Sequence, residues 1–227
     1  MNELAGEGRR SGVMMWPGSP YPYGKNKTLP TRVVRWNESI SWEWRVDTAI
    51  SWIVDHENPV NLVFMYFEDP DEIAHAFGPE SPEVTRQIER VNNITGHMIE
   101  RLKANHIYDR VNLMILSDHG FDTVRQDRII NITSLLDSNV CDYYGDTPVI
   151  QINPKDGKLD QLYEVLQKET TRSNFSVFKK SDVPGFWNYQ NNRRIMPLIA
   201  VADLGYAFDD FYKKIDWFNS HYNLTGE

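Results

Sequence analysis

Two short segments hold residues whose types and spacing could do chemistry. The first, "YFEDPDEIAHAFGPES" at 66–81, gathers Glu68, Asp69, Asp71, Glu72 and His75 within eight residues. The second, "SDHG" at 117–120, sets Asp118 directly before His119. Asp71 and His75 are spaced i, i+4, which puts both on one side of a helical turn, where they could grip one cation. Adjacent residues in an extended strand diverge, so Asp118 and His119 call for a turn, and Gly120 permits one. Carboxylate oxygen with imidazole nitrogen suits Zn²⁺ or a similar ion. Two such pairs make a plausible half or more of a two-metal site. Two ions about 4 Å apart can steady both the attacking and the leaving oxygen of an in-line displacement. Glu68, Asp69 and Glu72 read as loop carboxylates or caps. His97 reads as structural or exposed, and His56, His106 and His221 lack supporting neighbours.

Each pair follows an apolar run. "VNLVFMYF" at 60–67 and "VNLMIL" at 111–116 both predict short buried strands. In open α/β sheets, functional groups gather beyond the carboxyl ends of strands. Ile40, Val46, Ala49, Ile50, Ile53 and Val54 recur at helical spacing, which predicts a helix over 40–56 that Asn58-Pro59 ends. Ser81-Pro82-Glu83 opens a second helix, with Ser as cap and Pro in its first turn. Its buried stripe is Val84, Ile88, Val91, Thr95, Met98 and Leu102. Residues 16–30 are rich in Pro and Gly and read as an irregular loop. A strand over 147–152, a helix near 158–170 and a strand near 195–202 follow. The β-α-β rhythm predicts an α/β fold, a mostly parallel sheet with helices on both faces.

The 227 residues are 41% hydrophobic, enough for a substantial core, and suit one large domain or one and a half small ones. A net charge of −8 without a basic tract argues against a nucleic-acid backbone as partner. No apolar run is long enough to span a bilayer, and the first residues lack the apolar centre of a signal peptide. Yet six Asn-x-Ser/Thr sequons occur, at Asn26, Asn37, Asn93, Asn131, Asn174 and Asn223, where chance gives roughly two. That excess points to a glycoprotein of the secretory pathway, extracellular or at the cell surface, whose signal peptide is not in this chain. Cys141 is the one cysteine. It is either a buried free thiol or a group whose partner lies elsewhere.

The two acid–histidine segments resemble those of the ectonucleotide pyrophosphatase/phosphodiesterase family, in the alkaline phosphatase superfamily. "EDPDEIAHAFGP" at 68–79, Ser117-Asp118-His119-Gly120, Trp16-Pro17-Gly18-Ser19 and "WNYQNNRRIMPLIAVADLGYAF" at 187–208 all look like its motifs. The chain is most similar to the short, membrane-anchored members, from about residue 10 onward. The resemblance implies an alkaline-phosphatase-like core and two Zn ions. Asp71 and His75 would serve one zinc, with a later His. Asp118 and His119 would serve the other, with an upstream Asp and a nucleophilic Thr. That Thr would attack phosphorus and pass through a phospho-enzyme, which water hydrolyses.

Departures from the pattern matter equally. The first fifteen residues hold neither Asp nor Thr, and His221 lies too early for the family's late His. The chain is therefore expected to be one partial phosphodiesterase domain over 1–227, incomplete at both ends, with no catalytic nucleophile of its own and no activity alone. Ala74 stands where the family has Gly, and Phe121 where Met is common. Arg32 falls near a Tyr that stacks on the base in nucleotide-cleaving relatives, and Trp16 could line the same pocket. The expected substrate is a nucleotide or other small phosphodiester, and the parent protein is expected to carry a membrane anchor that this chain lacks. Two alternatives stay open: a glycosylated binding module without catalysis, and a phosphodiesterase of choline-type lipid headgroups.

Overall fold

A computed structural model describes residues 8–19, 21–25 and 27–222. The sequons at Asn26 and Asn223 lie outside these residues. The chain gathers into two compact units, Met1–His119 and Gly120–Glu227.

The first unit is built on three parallel strands in the order β2-β1-β3. They are β1 (Ser11–Met14), β2 (Arg32–Val34) and β3 (Leu62–Met65). Val13 of the central strand pairs with Val33 on one side and Phe64 on the other. Gly12 has no room for a side chain, because a Cβ there would meet the Trp52 ring at 2.5 Å. That ring belongs to α1 (Trp42–Ile53), so the missing side chain lets the helix lie close on the sheet. Ser41 caps α1 by accepting a hydrogen bond from Trp44 N.

After β3 come α2 (Asp71–Phe77) and α3 (Pro82–Ala104). Ser81 caps α3 and Pro82 opens it, as expected, and Arg101 and Lys103 in its last turn oppose the helix dipole. Trp42, Val46 and Ile50 of α1 pack against Ile94 and Leu102 of α3, with Ile107 closing the cluster. Ile88 of the expected stripe is 55% exposed instead, because α1 covers α3 only along the Ile94–Leu102 side.

The expected buried strand at 111–116 is not one. Its backbone is extended at Val111, but among the described residues no strand pairs with it. Met114, Ile115 and Leu116 are 77%, 63% and 76% exposed. The strand over 60–67 shortens to β3, where Leu62 and Phe64 are exposed too. Both departures have one cause: an apolar run buries itself only where neighbouring strands and helices flank it, and β3 is the edge of its sheet.

The second unit carries a four-stranded sheet in the order β5-β6-β8-β7, antiparallel throughout. Its strands are β5 (Cys141–Asp146), β6 (Val149–Pro154), β7 (Phe175–Lys179) and β8 (Leu198–Ala202). Two-residue strands β4 (Ile129–Ile130) and β9 (Ala207–Phe208) pair in parallel. Helix α4 (Leu159–Glu169) seats Leu162 and Leu166 in a core with Ile150, Ile152, Leu198 and Phe208. A final helix, α5, spans Phe211–Tyr222. The β-α-β rhythm thus holds as parallel pairing in the first unit and for β4–β9, while the larger sheet of the second unit is antiparallel, with only β5 and β6 joined as a hairpin. Cys141 is a buried free thiol, and burial pushes its pKa up, with the Asp142 and Asp137 charges adding to the effect.

Candidate active site

The four acid and imidazole residues named from the sequence meet in the first unit. Asp71 is the first residue of α2 and His75 lies one turn on. Their contact, His75 Nε2 to Asp71 Oδ1, is 3.6 Å. Residues 111–119 return to the same place and bend at Asp118. His119 Nε2 comes to 3.5 Å from the same Asp71 Oδ1 and to 3.9 Å from Asp118 Oδ2. The sequence pairing of Asp71 with His75 and Asp118 with His119 is therefore linked by a third contact, from His119 back to Asp71.

Asp71 Oδ1 is the atom that shows what the cluster suits. It is shielded from solvent and has no hydrogen-bond partner. Separations of 3.5 and 3.6 Å are too long for a hydrogen bond. The 3.6 Å to His75 is close to the separation of about 3.4 Å expected between N and O ligands of one tetrahedral zinc with bonds near 2.1 Å, and the 3.5 Å to His119 brings the second acid–imidazole pair beside the first. The donor set, carboxylate with imidazole, is also the one such an ion takes. Among the described residues no group of three or more His, Cys, Asp or Glu side chains is assembled to hold an ion. What the chain provides is two acid–imidazole pairs, Asp71 with His75 and Asp118 with His119, linked through the Asp71–His119 contact.

The other acids of the run are otherwise engaged. Glu68 accepts from Arg45 Nη1 at 2.6 Å, Arg45 Nη2 at 3.1 Å and Trp42 Nε1 at 3.3 Å. Burial alone would raise the Glu68 carboxyl, but the Arg45 hydrogen bonds and charge outweigh it and leave the pKa lowered. Asp69 faces Arg90 Nη1 at 3.4 Å, yet burial, with the Glu68 charge, holds its pKa above the ordinary value. Neither caps α2, whose cap position is Pro70 and has no side-chain bond. His97 meets Asp47 at 3.0 Å on the far part of α3, a structural contact as expected.

Beside the cluster lies a cavity of about 270 Å³ lined by Met15, Trp16, Pro17, Gly18, Ser19, Tyr21, Trp36 and Tyr66. Trp16 is held there by Phe64, ring centroids 4.9 Å apart. Tyr66 joins the cavity to the acids. Its pKa is raised by burial first and then by the charges of Asp118 and Asp71. Arg32 does not line the cavity; its guanidinium is bound to Asp55 at 2.9 Å. Trp36 and Tyr66 went unnoticed in the sequence. Their signal was available: both are aromatics flanking the segments that reach the site.

Comparison with known proteins now decides the family. The type I phosphodiesterase/nucleotide pyrophosphatase family matches residues 1–222. The chain belongs to this family. It is 40% identical over 209 residues to human ectonucleotide pyrophosphatase/phosphodiesterase family member 5, covering 90% of this chain and 43% of that protein. It is 33% identical over 202 residues to human bis(5'-adenosyl)-triphosphatase ENPP4, covering 88% of this chain and 44% of that protein. It is similar in structure to murine ectonucleotide pyrophosphatase/phosphodiesterase 5, solved as an inactive variant in complex with AMP. The TM-score is 0.76 at 36% identity, over 91% of this chain and 54% of that one. The human counterpart gives the same TM-score at 39% identity, with the same coverage of each chain. The chain thus spans about half the length of the relatives it matches. The α/β fold of the family is shared, and so is the expected resemblance.

Proposed function

We propose that the parent protein is a metal-dependent phosphodiesterase that cleaves phosphodiester or pyrophosphate bonds of extracellular nucleotides. The observation that carries this is the Asp71 Oδ1 atom, unpartnered and 3.5–3.6 Å from two imidazole nitrogens, beside an aromatic cavity. Family membership supports the reaction class. A relative named as a bis(5'-adenosyl)-triphosphatase and a neighbour solved with AMP support a nucleotide as substrate.

Asp71 and His75 would hold one divalent ion, and Asp118 and His119 a second, with zinc the best match to the donors. When bound, such ions polarise phosphoryl oxygens and supply positive charge where negative charge develops. This chain's own residues do the rest of the binding. Trp16, Tyr21, Trp36 and Tyr66 offer faces on which a purine or pyrimidine can stack, a contact worth about 1–3 kcal/mol per base. Tyr66 lines the cavity and feels the charges of Asp118 and Asp71, so it would help orient a bound nucleotide with phosphorus toward those acids.

The sequons support a secretory, cell-surface or extracellular location. Asn37, Asn93, Asn131 and Asn174 are all exposed, as glycan acceptors must be, and a membrane anchor in the parent protein fits the same setting. The test is turnover of bis(5'-adenosyl) triphosphate and of a nitrophenyl nucleotide ester by the full-length protein, before and after chelation. The reading expects hydrolysis that chelator abolishes and zinc restores. Hydrolysis untouched by complete metal removal would contradict it. An aromatic cavity also suits a quaternary ammonium, so faster turnover of a phosphocholine ester would favour the headgroup alternative.

A further inference from the structure

Arg45 is completely buried, 0% exposed, in the first turn of α1. A buried guanidinium is costly unless its charge and its donors are all met. Here its fork grips both oxygens of Glu68, at 2.6 and 3.1 Å. Its Nε donates to the Ile40 carbonyl at 3.2 Å, and Nη1 also lies 3.5 Å from the Tyr66 carbonyl. The Trp36 and Phe67 rings flank it, each centroid 5.9 Å away. One side chain therefore ties the start of α1, the end of β3 and the Glu68 carboxylate together.

A second arginine braces the same loop. Arg90 of α3 lies 3.8 Å over the Trp42 ring, and Trp42 Nε1 donates to Glu68. Arg90 also faces Asp69 at 3.4 Å. Glu68 and Asp69 are thus charge-matched by arginines on two helices. Asp71, three residues beyond Glu68, faces two imidazoles instead. A fork-to-carboxylate contact fixes direction as well as distance, and a metal ligand works only when held to within about 0.5 Å.

We propose that Arg45 and Glu68 are positioning residues that aim the Asp71 carboxylate at the metal. The proposal rests on the metal reading given under Proposed function. A fold-only role would be served as well by two apolar side chains of similar size. The polar fork adds a fixed geometry for the loop that carries Asp71, as partners behind a ligand do in metal sites.

Titration of the full-length protein with Co²⁺, followed by visible absorption and chelator competition, tests this. Glu68→Gln is expected to weaken cobalt binding about tenfold and to shift the visible bands, with far-UV circular dichroism unchanged. Because Glu68→Gln leaves a buried guanidinium short of its charge, an Arg45→Met/Glu68→Leu double variant is measured too. It removes both charges and is expected to keep the fold, read by far-UV circular dichroism, and to show the same loss. Affinity and spectrum equal to the unsubstituted protein in both variants would overturn the positioning role alone. Cobalt binding that is absent, or unaffected by Asp71→Asn, would overturn the metal reading and this proposal with it.

Discussion

His119 Nε2 lies 3.5 Å from Asp71 Oδ1, so the two sequence segments that carry acid and imidazole meet at one carboxylate oxygen. That oxygen has no hydrogen bond, and it is the point from which the proposed chemistry is argued.

If these residues hold the ions, removing any one should remove metal and turnover together. Asp71→Asn, His75→Ala, Asp118→Ala and His119→Ala in the full-length protein are each expected to lower turnover at least ~100-fold and to reduce bound zinc. Metal content by mass spectrometry, read beside the rate, checks this. Unchanged zinc in all four would refute the ligand assignment.

The aromatic cavity should matter for binding rather than for bond cleavage. Trp36→Ala is expected to weaken AMP binding by about tenfold, within the range for one lost stacking face. Trp16→Ala should act in the same direction, with added loosening because Trp16 also packs on Phe64. Arg32→Ala should leave binding unchanged, since Arg32 is engaged with Asp55. Quenching of tryptophan fluorescence by AMP measures all three.

Much of this was legible in the chain. Asp71 and His75 share a helical turn because i, i+4 spacing dictates it, and Ser81-Pro82 opened α3 as capping chemistry requires. The convergence of Asp71, His75, Asp118 and His119 was legible because side chains suited to a metal come in few types and tight spacings. What was not legible depends on neighbours remote in sequence. The Arg45 fork on Glu68 joins α1 to the loop after β3, and no local pattern marks a buried arginine. The run at 111–116 had a buried strand's composition but lacks flanking strands among the described residues. The antiparallel sheet of the second unit escaped the β-α-β reading because β5 and β6 form a hairpin. Just before its turn, β5 holds Gly145 at φ +87°, where a Cβ would also strike the Val149 carbonyl at 2.9 Å.

That contrast gives a stability prediction. Ile152→Ala, at a fully buried position of the second core, is expected to destabilise the chain by about 2–5 kcal/mol. Met114→Lys, in the exposed apolar run, should change stability by less than about 0.5 kcal/mol. Urea unfolding of both variants compares them directly. A larger loss at Met114 would show that the run is buried after all.

Asp210 supplies a pH dependence. Its Oδ1 is shielded and unpartnered, and its Oδ2 accepts from Thr147 N. Burial raises its pKa, Thr147 and Lys214 oppose that, and Asp146 adds to it, with the net result above the ordinary value. A carboxyl raised in the folded state contributes stability fully below its unfolded value near 3.8, and that contribution is lost as pH rises through the folded value. Asp210→Asn should therefore gain on the unsubstituted chain as pH rises from about 4 toward 7. Unfolding midpoints across that range check the sign.

The most direct measurement of the central claim is a zinc-soaked crystal of the protein, examined by anomalous scattering at the zinc edge. The account predicts zinc bonded to Asp71 and His75, with Asp118 and His119 holding a second ion. Zinc bound only elsewhere, with the Asp71 carboxylate hydrogen-bonded to the two imidazoles and no ion beside it, would contradict it.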